Sequence, residues 1–122
     1  MANILVVDDE PNILKLISFF LKSAGYTVFT ATNGREALDF YRQNSAQIDL
    51  IISDMIMPEM GGLELCRELN GQCAVVLVSA MSDPDNVEQA LAAGAVDFIP
   101  KPYDLYQIRS KLPEILRKIG KA

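Results

Sequence analysis

The chain has 122 residues, half of them hydrophobic, with a net charge of −5 and a pI near 4.6, so we expect one domain, residues 1–122, with a single core. The acidic balance disfavours nucleic-acid binding, which needs clustered lysine and arginine, and the lack of histidine excludes histidine nucleophiles and histidine metal ligands. No apolar run reaches the ~18 residues of a membrane span and no signal peptide is apparent, so we expect a cytoplasmic protein.

Five short segments rich in valine and isoleucine are typical of strands buried on both faces of a sheet. These segments are residues 3–7, 27–31, 49–53, 74–79 and 96–99. Segments with helical periodicity follow each of them, at residues 11–23, 34–43, 62–69, 84–93 and 103–118. Regular alternation of strand and helix predicts an α/β protein, a (βα)5 flavodoxin-like fold with a doubly wound parallel sheet in the strand order 2-1-3-4-5.

Local signals indicate where several helices begin and end. Pro11 suits the first turn of a helix, and Asn33 can cap the second helix. Pro113 lies inside the last helical pattern, where it removes one backbone hydrogen bond and disfavours helical geometry at Leu112. We therefore expect that helix to kink or end there, leaving residues 114–120 as a separate turn or a loosely held tail.

Polar side chains follow four of the predicted strands at their carboxyl ends. Asp8 and Asp9 follow the first strand, Asp54 the third, Ser79 the fourth and Lys101 the fifth. Parallel strands place these ends along one edge of the sheet, where ligands bind. Each residue alone has an ordinary role in a turn or at a helix end. Three carboxylates this close, however, repel by roughly 1–3 kcal/mol per pair unless a cation lies between them, and oxygen ligands favour Mg²⁺ or Mn²⁺.

The chain resembles the receiver domain of bacterial two-component response regulators over its whole length. The resemblance is carried, in order, by the segments ILVVDDEPNIL, DLIISDMIMPEMGGLEL, VVLVSA and AAGAVDFIPKP. It implies that Asp54 is the phosphoacceptor, and that Asp8 and Asp9 bind Mg²⁺, with Mn²⁺ as an alternative, together with Asp54 and the backbone carbonyl of Met55. Gly61 stands where the family often has aspartate, which predicts a looser turn at Gly61 and Gly62.

The resemblance also assigns the residues that respond to phosphorylation. It implies that Ser79 hydrogen-bonds the phosphoryl group, that Lys101 pairs with it, and that Phe98 is the aromatic switch residue. The surface made by the fourth helix, fifth strand and fifth helix then changes shape and is read by a partner. Because Val87 and Gln107 replace charged residues of the dimer surface found in DNA-binding members, we expect a monomer or a weak phosphorylation-dependent dimer.

The implied donor is a sensor histidine kinase or a histidine phosphotransfer protein, and the implied reader is a downstream effector protein or an output domain. Neither nucleic acid nor membrane is an expected partner of this domain. The protein would be a phosphoacceptor that catalyses its own phosphorylation and dephosphorylation, not a conventional enzyme. The alternative is the isolated receiver of a longer DNA-binding regulator or hybrid kinase.

Two other function classes share this fold or this nucleophile. A flavodoxin-like FMN carrier needs a phosphate cradle after the first strand, where Asp8 and Asp9 would repel phosphate. A Mg²⁺ phosphatase needs an acid two residues after its nucleophile, and that position is Ile56, which cannot transfer a proton.

Two further expectations concern the loops around Asp54. The apolar residues Ile56 and Met81 flank the path of attacking water in the family, so we expect slow hydrolysis of the acyl phosphate. The Lys101–Pro102 peptide matches the family's cis turn.

Overall fold

The five apolar segments form one parallel sheet in the computed structural model, which describes residues 2–80, 83–101 and 104–121. The strands are β1 (Asn3–Val7), β2 (Thr27–Ala31), β3 (Leu50–Asp54), β4 (Ala74–Ser79) and β5 (Asp97–Pro100). The helices are α1 (Pro11–Ser23), α2 (Gly34–Asn44), α3 (Gly62–Leu69), α4 (Pro84–Ala92) and α5 (Leu105–Lys118). A single 3-10 turn, Ser45–Gln47, follows α2 and was not predicted.

The strand order is β2-β1-β3-β4-β5 with every pairing parallel, which confirms the predicted fold class. The register then fixes the relative heights of the strand ends. Val7 pairs with Ser53, so the residues after them, Asp8 and Asp54, lie at the same level on neighbouring strands. Ser79 pairs with Pro100, immediately before the lysine that follows β5.

The sheet divides the interior into two apolar layers because alternate strand residues point to opposite faces. In β1, Leu5 and Val7 join the layer beneath α2, α3 and α4, whereas Ile4 and Val6 join the layer beneath α1 and α5. All four side chains are essentially inaccessible to solvent. Burial on both faces explains why these strands read as continuous apolar runs in the sequence.

Side-chain caps set two of the helix starts. Asn33 caps α2 as predicted, since its Oδ1 accepts a hydrogen bond of 2.8 Å from the Glu36 N–H. Asp104 and Gln107 form a reciprocal capping box, with bonds of 2.8 and 3.0 Å, which starts α5 at Leu105 instead of the predicted residue 103.

The prediction that the last helix breaks at Pro113 is wrong, because α5 continues to Lys118. Pro113 lies on the exposed side of the helix, and its missing N–H costs a single backbone hydrogen bond. Beyond it, Ile115 and Leu116 are both 4% exposed and pack into the layer shared with α1. Burial of two large apolar side chains outweighs that lost bond, at roughly 1.5–3 kcal/mol for each side chain.

The fourth helix is attached to the rest of the fold by less apolar surface than the others. Of its nine residues, only Ala90 is buried. Leu91 is 53% exposed, although it belongs to the same short helix. Among the described helices, none has the length and apolar character required to cross a bilayer.

Candidate functional site

The three predicted acidic residues lie together at the carboxyl end of the sheet. Asp8 follows β1 and is 3% exposed, Asp54 ends β3 and is 7% exposed, and Asp9 is open to solvent. Each of the three contributes a carboxylate oxygen that lies within 4.8 Å of the other two. Three hard oxygen donors at this spacing, without any nitrogen or sulfur donor among them, suit a small divalent cation such as Mg²⁺.

The surroundings of Asp8 make the charged form of its carboxyl group unfavourable in the folded protein. Burial, together with the smaller effect of the nearby Asp54 carboxylate, raises the pKa of Asp8 from 3.8 to about 6. The Glu10 N–H, which donates a 2.9 Å hydrogen bond to Asp8 Oδ1, and the Lys101 ammonium lower the pKa in part. The folded protein therefore holds a carboxylate whose charged form is unfavourable even with the Lys101 ammonium nearby.

Lys101 forms an ion pair with the predicted acceptor. Its Nζ lies 2.8 Å from Asp54 Oδ1, and its side chain is 30% exposed whereas that of Asp54 is only 8% exposed. The backbone of the same residue is held by its N–H, which donates to the Ser79 carbonyl at 2.8 Å. The end of β5 is thus fixed against the end of β4, and the lysine is aimed at the acidic cluster.

A small pocket of about 180 Å³ opens above this ion pair. Among the described residues, those that line it are Asp54, Ile56, Val78, Ser79, Ala80 and Lys101. Because a water molecule occupies about 30 Å³ in the liquid, the pocket can hold a phosphoryl group and a few waters. A carboxylate, a hydroxyl and an ammonium thus surround one phosphate-sized space.

Phe98 is not part of that pocket. It lies in β5, is 8% exposed and packs into the layer beneath α2, α3 and α4. The role of Phe98 as the switch residue stays a prediction.

The Met55 carbonyl, predicted as a metal ligand, is engaged by the start of α3. It accepts a hydrogen bond from the Leu63 N–H at 3.4 Å. A carbonyl oxygen has two lone pairs, so this long bond leaves one available, and the ligand role of Met55 stays a prediction.

The two glycines before α3 make a close backbone contact with the end of β3. A Cβ atom on Gly61 would lie 2.5 Å from the Met55 carbonyl oxygen, and one on Gly62 would lie 2.3 Å from the Asp54 carbonyl oxygen. The expectation of a looser turn at Gly61 and Gly62 is therefore wrong, since both positions are packed too tightly for any side chain. The sequence signal was the pair of adjacent glycines, whose small size permits close backbone approach.

The loop between β3 and α3 is also tied to the start of α2, a contact that the sequence did not predict. The Gly34 N–H donates to the Met60 carbonyl at 2.7 Å, and Asn33 Nδ2 donates to Glu59 Oε2 at 3.2 Å. Glu59 adopts a positive φ of 67°, which few non-glycine residues do. These contacts fix the loop that follows the acceptor aspartate.

Two predictions lie outside the described residues. The first is that Met81 flanks the acyl phosphate, and the second is that the Lys101–Pro102 peptide bond is cis. Ile56 is described, is 63% exposed and lines the pocket as predicted.

The sequence of the chain is similar to those of known proteins. Residues 4–113 match the family described as "Response regulator receiver domain". A probable transcriptional regulator, ycf27 of Cyanidium caldarium, is 36% identical over 119 residues, which cover 96% of this chain and 47% of the relative. The chain spans about half the length of the curated relatives it matches.

Solved structures match over nearly the whole chain. The chemotaxis protein CheY4 of Vibrio cholerae has a TM-score of 0.86 at 33% identity, covering 95% of this chain and 99% of that one. The CheX-CheY-BeF3-Mg complex of Borrelia burgdorferi matches with a TM-score of 0.87 at 28% identity, covering 94% and 89% of the two chains. The chain therefore belongs to the receiver-domain family of two-component response regulators, a family in which an aspartate accepts a phosphoryl group.

Proposed function

We propose that Asp54 accepts a phosphoryl group from a phosphohistidine of a sensor histidine kinase or a histidine phosphotransfer protein, in a reaction that requires Mg²⁺. The observation that carries this proposal is the position of the Asp54 carboxylate. It lies within 4.8 Å of the carboxylates of Asp8 and Asp9 and 2.8 Å from the Lys101 ammonium, and it lines a pocket of phosphoryl size.

The chemistry follows from these groups. A carboxylate oxygen of Asp54 forms a bond to phosphorus while the phosphorus–nitrogen bond of the donor breaks, and the electron pair stays on the imidazole nitrogen. Asp8 and Asp9, with Asp54 and the Met55 carbonyl, would hold the cation. A bound Mg²⁺ supplies charge stabilisation to the phosphoryl oxygens.

Lys101 and Ser79 act on the phosphoryl group itself. Lys101 exchanges its contact with Asp54 for a phosphoryl oxygen, since the carboxylate of the aspartate loses its negative charge when it is phosphorylated. The Ser79 hydroxyl, at the buried end of β4, hydrogen-bonds another phosphoryl oxygen. Both groups already line the pocket, so little rearrangement precedes the reaction.

The response reaches a partner through α4, β5 and α5. Movement of Ser79 towards the phosphoryl group opens space that the Phe98 ring enters, and α4, which buries only Ala90, adjusts with it. The reader is an effector protein or an output domain. The ion pair between Lys111 and Asp97, at 3.9 Å, lies on this surface, and we propose a monomer or a weak phosphorylation-dependent dimer.

The domain would work in the cytoplasm as a phosphoacceptor that promotes its own phosphorylation and dephosphorylation. A receiver of a longer DNA-binding regulator is the second candidate, favoured by the greater length of relatives such as ycf27, a probable transcriptional regulator. A Mg²⁺ phosphatase is disfavoured, because it needs an acid two residues after its nucleophile and the exposed side chain at that position, Ile56, is apolar.

The test is phosphorylation by acetyl phosphate or phosphoramidate with Mg²⁺, followed by intact-protein mass spectrometry. We expect one added phosphoryl group in the parent, none in Asp54→Ala and a slower reaction in Lys101→Ala. Asp85→Ala, an exposed aspartate in the first turn of α4, is the control and should react as the parent does. Full labelling of Asp54→Ala would refute the assignment.

A further inference from the structure

The first turn of α2 packs directly against the loop that follows the acceptor aspartate. Gly34 is buried, and its N–H, one of the helix-start donors that have no acceptor within the helix, donates to the Met60 carbonyl at 2.7 Å. A Cβ atom on Gly34 would lie 2.5 Å from that same carbonyl oxygen and 2.7 Å from Met60 Cγ. The contact therefore leaves no room for a methyl group unless the loop moves.

The same loop packs against the carbonyl that is predicted to bind the cation. Gly61, the residue after Met60, lies so close to Met55 that a Cβ atom on it would be 2.5 Å from the Met55 carbonyl oxygen. The Leu63 N–H also donates to this oxygen, at 3.4 Å. Because a single peptide bond joins Met60 to Gly61 and both are closely packed, a shift of Met60 is transmitted to the Met55 carbonyl.

A side-chain contact holds the middle of the loop to the same helix start. Asn33 uses both ends of its amide, since Oδ1 accepts from the Glu36 N–H at 2.8 Å and caps α2 while Nδ2 donates to Glu59 Oε2 at 3.2 Å. Glu59 has a φ of 67°, a conformation that persists only where surrounding contacts enforce it. The start of α2 thus contacts the loop through both its backbone and a side chain.

We propose that Gly34 and Asn33 are positioning residues for the cation site, which act by holding the Met55 carbonyl where Mg²⁺ meets it. This inference rests on the proposed function, through the ligand role that it gives to Met55. Mg²⁺ demands near-ideal octahedral geometry with ligand distances of about 2.0–2.1 Å. A displaced carbonyl therefore weakens binding even when every carboxylate stays in place.

The test is titration of the metal-free protein with Mg²⁺, followed by two-dimensional NMR of the backbone amides, in the parent, Gly34→Ala and Gly71→Ala. Gly71 follows the far end of α3, has a φ of 83°, and a Cβ atom on it would meet none of the described residues within 4 Å. Gly71→Ala therefore strains the backbone away from the loop and is the destabilised control.

We expect Gly34→Ala to raise the dissociation constant for Mg²⁺ at least fivefold, and Gly71→Ala to leave it within twofold of the parent value. An unchanged constant in Gly34→Ala, or equal increases in the two variants, overturns the inference. Equal increases would mean that the affinity for Mg²⁺ only follows the stability of the fold.

Asn33→Ser tests the side-chain contact without removing the helix cap. Serine caps helices well but has no amide N–H to donate to Glu59. We expect a dissociation constant for Mg²⁺ two- to threefold above that of the parent, with a Tm in EDTA close to the parent value. An unchanged constant removes Asn33 from the proposal, and it overturns the proposal entirely where Gly34→Ala does not fold.

Phosphorylation by acetyl phosphate over a range of Mg²⁺ concentrations separates this inference from the proposed function. The half-saturating concentration of Mg²⁺ should rise in Gly34→Ala by the same factor as the dissociation constant. A lower rate at saturating Mg²⁺ with an unchanged half-saturating concentration would indicate a general distortion and overturn the inference. A parent that binds Mg²⁺ but gains no phosphoryl group refutes the proposed function, while the titration still decides the inference. A parent that does not bind Mg²⁺ overturns the inference.

Discussion

Neutralising Asp8 should stabilise the metal-free protein. The Asp8→Asn variant keeps an oxygen that accepts the 2.9 Å hydrogen bond from the Glu10 N–H, while it removes one of three clustered charges. Because three carboxylates cluster at this site, their mutual repulsion works against folding when no cation is bound. The gain in stability should therefore appear in EDTA and be lost in Mg²⁺.

The magnitude follows from the raised pKa of Asp8, about 6 in the folded protein against an ordinary value of 3.8. The folded state binds the proton more tightly than the unfolded state, so stability is highest at low pH and falls as pH rises through this window. Each unit of difference in pKa corresponds to about 1.4 kcal/mol, so the full loss of folding stability above pH 6 is about 3 kcal/mol. At pH 5 the loss is about half of that value.

The assay is urea denaturation followed by circular dichroism, in EDTA at pH 5 and pH 7.5. We expect Asp8→Asn to raise the free energy of unfolding by up to about 3 kcal/mol at pH 7.5 and by about half as much at pH 5. Millimolar Mg²⁺ should stabilise the parent and have little effect on the variant. Asp39→Asn, at an exposed position on α2, is the control and should change little under any of these conditions.

The reasoning is refuted if Asp8→Asn destabilises the protein in EDTA at pH 7.5. A gain that is the same at both pH values would also contradict it, because the effect would then not come from the charge of Asp8.

Three further changes test other features. Gly61→Ala places a Cβ atom 2.5 Å from the Met55 carbonyl oxygen, so it should cost about 1–3 kcal/mol and reduce the rise in Tm caused by Mg²⁺; an unchanged rise would separate this contact from the metal site. Pro113→Ala restores a backbone N–H inside α5 and should stabilise the protein by about 1–2 kcal/mol in urea denaturation, whereas a loss would mean that Pro113 contributes packing. Ile56→Asn with Met81→Glu should shorten the lifetime of the acyl phosphate at fixed Mg²⁺ by orienting attacking water, and equal decay rates would refute shielding by apolar side chains.

The sequence predicted the sheet and the residues at its edge because both depend on short-range patterns. Valine-rich runs mark strands buried on both faces, and the parallel order follows from their alternation with helices. Once strand ends share one edge, Asp8, Asp54 and Lys101 must meet there. The register of β1 with β3 confirms this for the two aspartates, and the 2.8 Å contact with Asp54 confirms it for Lys101.

The parts that were missed depend on contacts between segments distant in sequence. A proline rule applied to α5 failed because the buried side chains Ile115 and Leu116 lie after Pro113 and hold the helix in place. The closeness of Gly61 to the Met55 carbonyl depends on how the loop folds back on β3, which composition alone does not encode.

The sparse attachment of α4 has a consequence for how such a domain diversifies. Ala90 is the only buried residue of that helix and Val87 is partly buried against the core, so the other seven positions can change with little effect on the core. The carboxylates and Lys101 sit on strand ends that the rest of the fold fixes independently. One phosphate-accepting scaffold can thus acquire a new recognition surface by substitutions in α4 while its chemistry stays as it was.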